Sequence, residues 1–116
     1  MPQFAVYKNK NAATRTRFPF LLDIQSDLLD PLATRVVVPL QPAGGSGSRS
    51  MEPLTPAIRV AGKDYLMITP QVAGVAAREL GPVVADASAG RSVIIAALDF
   101  LISGVGDVPK FVELKL

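Results

Sequence analysis

The chain has 116 residues, shorter than one average domain, and its 12 basic and 10 acidic side chains leave a net charge of only +2. Histidine, cysteine and tryptophan are absent, which removes the usual neutral-pH general base, disulfides, thiolate nucleophiles and cysteine-based zinc sites. With 49% hydrophobic residues, a domain this small cannot cover all its apolar surface, so a second copy of the chain is expected.

From the N-terminus, Gln3-Phe4-Ala5-Val6-Tyr7-Lys8 has the aromatic and β-branched content of a strand. Residues 18–24 form a second candidate and Arg35-Val36-Val37-Val38-Pro39-Leu40 a third; Pro39 places the far end of that strand at a sheet edge or a bulge. Residues 41–56, with Gly44-Gly45-Ser46-Gly47-Ser48 at their centre, read as a flexible loop inside one domain spanning residues 1–116. Residues 57–61 and 64–69 then read as a hairpin turning near Gly62-Lys63, while residues 71–80 fit either a bent strand or a helical turn. A helix follows from Ser88 to Ser103, with Asp86 or Ser88 as its cap and Gly104 as its stop. Nine of the ten residues 93–102 are apolar, so this helix needs cover on more than one side. The run is too short to cross a bilayer and residues 1–10 lack a signal-peptide core, which points to a soluble, cytoplasmic chain.

Three clusters invite a chemical reading. Lys8, Lys10, Arg15 and Arg17 beside Tyr7 and Phe18 match a phosphate-binding hairpin, but the low net charge favours a solvated loop and no direct nucleic-acid contact. Asp23, Asp27 and Asp30 lack the spacing of a calcium loop, and turn chemistry accounts for them without a metal or other cofactor. Leu28-Leu29 is either an exposed apolar knob or part of the core, and Asp99 is either a paired interface group or simply solvated.

Gln3-Phe4-x-Val6-Tyr7, the block Asp23-Ile24-Gln25-Ser26-Asp27-Leu28-Leu29-Asp30, the strand Arg35-Val36-Val37-Val38-Pro39-Leu40 and the ending from Ile94 to Val105 together resemble the CcdB toxins of bacterial toxin–antitoxin modules. The resemblance covers residues 3–40 and 58–105. It implies a mainly β SH3-like barrel, with an antiparallel sheet, a small three-stranded wing and a C-terminal helix, assembled as a homodimer. It also implies a protein that is not an enzyme: one that binds the A subunit of DNA gyrase, traps the gyrase–DNA cleavage complex, and is neutralised by a CcdA-like antitoxin. Carried onto this chain, the gyrase-binding residues are Ser26, Leu28, Leu29, Asp99, Ser103, Gly104 and Val105, and the dimer interface draws on Ile95, Leu98 and Ile102. Ser103 stands where plasmid-borne members carry a tryptophan, and residues 106–116 extend beyond the family's usual end. Two other readings are an RNA endonuclease on the same barrel, using Arg15, Arg17 or Arg35 with an Asp, and an inactive relative that only binds antitoxin.

Overall fold

The computed structural model describes residues 2–44 and 51–104. Among the described residues there are seven strands, with short 3-10 turns between some of them: β1 (Ala5–Asn9), β2 (Phe20–Asp23), β3 (Thr34–Pro42), β4 (Ala57–Val60), β5 (Lys63–Met67), β6 (Ala73–Ala76) and β7 (Leu80–Asp86). One helix, α1 (Arg91–Ser103), closes the chain of elements. All strand pairings are antiparallel, in the order β4-β5-β3-β2-β1-β7, with β6 attached to β3. The result is a curled, barrel-like sheet with a C-terminal helix, as the sequence led us to expect.

Strand β3 is the pivot. Residues 37–40 pair with β2 on one side; on the other, residues 34–37 pair with β6 and residues 40–42 with β5. The Pro39 carbonyl accepts from the Ile68 N–H at 3.0 Å on that forked side. A residue's amide and carbonyl point to the same edge of a strand, so the donor that proline lacks falls where β6 has ended and β5 begins. Pro39 therefore sits mid-strand at a fork, not at the sheet edge or bulge that the sequence suggested.

The hairpin between β4 and β5 turns on Ala61 and Gly62, with φ of 51° and 82°. Two positive φ angles define the tight turn whose twist matches paired strands, which is why glycine belongs at its second position. The stretch expected as a loop over 41–56 is structured at both ends: β3 runs to Pro42, Thr55 is buried, and the Met51 N–H donates to Thr55 Oγ1 at 2.7 Å. Residues 45–50 of it lie outside the described residues. The ambiguous stretch 71–80 resolves into the end of one 3-10 turn at Gln71, β6, a second 3-10 turn and the start of β7.

Adjacent residues feed opposite faces of the sheet, as the pleat requires. Phe4, Val6, Leu22, Val38 and Leu40 face α1 and pack with its Ile94 and Ala97, whereas Ala5, Tyr7, Val37 and Leu80 form a smaller cluster on the other side. The helix begins at Arg91, later than Ser88, because residues 88–90 form a 3-10 turn. The helix N-cap is Gly90, not the Asp86 or Ser88 that the sequence suggested, and Asp86 Oδ1 accepts from the Ser88 N–H at 2.9 Å ahead of that turn. It ends as expected at Gly104, whose φ of 75° breaks the helical path.

Candidate interaction surface

Strand β2 ends at Asp23, and the chain must then reverse into β3. Ser26 caps a single 3-10 turn over Asp27–Leu29, its Oγ accepting from the Leu28 N–H at 3.2 Å. Beneath the turn lies Arg35, at the start of β3, with no solvent exposure. Its Nε donates to Asp23 Oδ2 at 2.8 Å, and Asp23 is equally buried. Its other donors reach Asp30 Oδ1 and the Gln25 carbonyl, both at 3.3 Å. The hydrogen bond to Asp23 raises the Arg35 pKa, outweighing the opposing effect of burial, so the guanidinium stays charged.

Gln25 ties the turn to the sheet. Its Oε1 accepts from the Val36 N–H at 2.9 Å and its Nε2 donates to the Leu29 carbonyl at 3.1 Å. Asp27 accepts from the Gln3 N–H at 2.7 Å. Asp23 and Asp30 thus share the Arg35 guanidinium while Asp27 accepts from Gln3, and no cluster suited to a metal ion occurs among the described residues. This network holds two leucines outward: Leu28 is 90% exposed and Leu29 48%. The structure settles that open question in favour of the knob. Leu32, 52% exposed, adjoins it through its N–H to the Leu29 carbonyl at 3.0 Å.

The second candidate region is the end of α1. Asp99, Ser103 and Gly104 are exposed, and Ser103 Oγ donates to the Asp99 carbonyl at 2.7 Å, closing the last turn. Val105 lies outside the described residues, as does the extension 106–116. Of the three residues assigned to a dimer contact, Ile95 and Leu98 are half-buried against the protein's own core, while Ile102 is 84% exposed. The two regions are tethered differently. The turn connects through Gln3 to Arg91, whose Nη1 donates to Gln3 Oε1 at 3.4 Å, at the start of the helix. Ser103 lies 12 residues farther along, about 18 Å of helix.

Sequence reasoning missed the part played by Arg35. The available signal was an arginine opening an otherwise apolar strand, with three aspartates just upstream. Arg15 and Arg17 remain exposed on the loop between β1 and β2, Arg17 lying 5.1 Å from the centre of the Phe18 ring.

This architecture, a curled antiparallel sheet with one terminal helix, is a small barrel-like fold. A family model described as CcdB protein matches residues 3–104, and the chain belongs to that family, the toxins of toxin–antitoxin systems. Among solved structures, one described as an endoribonuclease in complex with its cognate antitoxin from Mycobacterial species matches with a TM-score of 0.68 at 17% identity. The match covers 85% of this chain and 91% of that one, and it is a likeness of fold. No helix among the described residues is long and apolar enough to cross a membrane.

Proposed function

We propose that this toxin binds the A subunit of DNA gyrase and holds the gyrase–DNA complex in its cleaved state, without catalytic chemistry of its own. It would act in the cytoplasm as a homodimer, countered by a cognate CcdA-like antitoxin. The observation that carries this reading is the leucine turn: a 90% exposed Leu28 on a base that a buried ion pair and Gln25 hold rigid. Exposed apolar side chains on a rigid support lose little entropy on docking, which suits a surface for a protein partner.

Poisoning needs only state-selective binding. A ligand that prefers one state of a cycling enzyme by about 4 kcal/mol shifts the ratio of states about a thousandfold. Leu28 and Leu29 supply apolar contacts beside Ser26, and Asp99, Ser103, Gly104 and Val105 supply the second contact at the end of the helix. Ile102, with Ile95 and Leu98 behind it, offers apolar surface to the second protomer.

An endoribonuclease is the second reading, favoured by the fold shared with the mycobacterial structure. Against it, Arg35 and Asp23 are both fully buried and bonded to each other, out of reach of an RNA backbone. A supercoiling assay with purified gyrase separates the two. The expected result is inhibition, with linear DNA released on denaturing the complex and total RNA left intact. Normal supercoiling together with discrete RNA fragments would replace the first reading with the second.

A further inference from the structure

We propose that the apolar groove between α1 and the end strand β4 is the seat of the chain's own segment 105–116, which lies back along the helix and places Val112, Leu114 and Leu116 in the groove. The inference goes beyond the gyrase reading and stands or falls without it.

β4 and β7 are the two ends of the strand path, so the curled sheet has a seam between them. In that seam lies a hollow of about 290 Å³, whose walls include Ala57, Ile58 and Arg59 of β4, Ala87 just past β7, and Val93 of α1. Val93 also lines a second hollow of about 160 Å³ with Ala96, Pro53 and Pro56, so the two form one groove that follows the helix. α1 packs on the sheet through Ile94 and Ala97, yet Val93 is 44% exposed and Ala96 is exposed as well. Among the described residues this side of the helix stays open, although a helix so apolar calls for cover on more than one side.

Reach and pattern select the occupant. Val93 lies about 16 Å of helix back from Gly104. At about 3.3 Å per residue, the residues 105–111 span up to about 23 Å, enough to turn back at Gly104 and bring Val112 to Val93. Beyond that point Val112-Glu113-Leu114-Lys115-Leu116 alternates apolar and charged, the pattern of an extended segment covered on one face. A tethered segment also meets its groove at an effective concentration on the order of millimolar, which a free partner has to match.

Charge fits the same direction of travel. Glu52 borders the hollow at Ala96, which a segment leaving the end of the helix reaches first, and Arg59 borders the hollow in the seam, which it reaches second. Lys110 precedes Glu113 in the segment, so each meets an opposite charge in turn. The Arg59 side chain is exposed beside its partner Asp64 and has room for a second carboxylate. The family model ends at residue 104, so this occupant is particular to the present chain.

The test uses the full chain, whose lack of cysteine lets a single pair be introduced. Val93→Cys with Leu114→Cys, oxidised at low protein concentration, should form a disulfide within one chain, read as a faster monomer band on a non-reducing gel and the loss of both thiols. Thr16→Cys with Leu114→Cys, which pairs the segment with the exposed loop between β1 and β2, should stay reduced under the same conditions. A second measurement needs no cysteine. Trypsin should cut after Lys110 at least tenfold faster in Val93→Glu than in the parent, because the charge expels the segment while the exposed site spares the fold. The proposal is overturned if the Val93–Leu114 pair stays reduced, or if the Thr16 pair oxidises as readily. It is equally overturned if the disulfide forms only between chains, which would seat the segment on a second copy, or if trypsin cuts parent and Val93→Glu at the same rate. None of these readouts involves gyrase.

Discussion

Replacing Arg35 by methionine tests whether the ion pair beneath the leucine turn is a brace. Arg35 and Asp23 are both fully buried, 2.8 Å apart, and the Asp23 carboxylate also accepts from the Gln25 N–H at 2.9 Å. Without the guanidinium, one buried carboxylate loses its counter-charge and the Gln25 carbonyl loses a donor. Breaking one side of such a pair costs about 3–5 kcal/mol, a large part of the roughly 5–15 kcal/mol that stabilises a domain of this kind. With a urea dependence of about 1–3 kcal/mol per molar, the unfolding midpoint should fall by about 2 M. The double variant Arg35→Met with Asp23→Leu removes both charges and should recover most of that loss, since apolar replacements of buried pairs are often neutral. A single variant within about 0.5 kcal/mol of the parent, or a double variant worse than the sum of the two singles, would refute the reasoning.

Other residues give independent checks. The Tyr7 hydroxyl is buried with no hydrogen-bond partner among the described residues, so Tyr7→Phe should stabilise the fold by about 1 kcal/mol in urea titration. Burial, reinforced by the Asp23 carboxylate, raises the Tyr7 pKa above 10.0. The unfolded chain then ionises first, so stability is full below about pH 10 and declines as pH rises through the folded value; Tyr7→Phe should flatten that decline in alkaline denaturation. Ala61 sits at φ 51°, a region that asparagine tolerates better, so Ala61→Asn should add about 0.5–1 kcal/mol by thermal unfolding.

How far the fold was legible depends on whether the signal was local. The hairpin was readable because Gly62 follows the alternating strand Ile58-Arg59-Val60, and the end of the helix because Gly104 follows a run of good helix formers interrupted among its apolar residues only by Asp99 and Ser103. β7 was hidden by Gly81-Pro82, which reads as a break. In the structure a Cβ at Gly81 would lie 2.8 Å from the Lys8 carbonyl oxygen, so the glycine marks a close approach of β7 to β1. Pro39 misled in the other direction, since only the fork shows that its edge of β3 needs no donor there. The leucine turn was visible as a pattern but not as a state. Whether Leu28 and Leu29 point outward depends on Arg35 filling the space beneath them, and Arg35 reaches Asp23, Gln25 and Asp30 only after β2 and β3 have paired.

Leu28→Asp provides the most direct measurement. The side chain is 90% exposed, so the substitution should change unfolding stability by less than about 0.5 kcal/mol. In a gyrase cleavage assay with the parent at a saturating dose, a toxin that grips gyrase through this turn should lose at least tenfold in potency. Equal potency in parent and variant, with both equally folded, would contradict the claim that the braced leucines are the working surface.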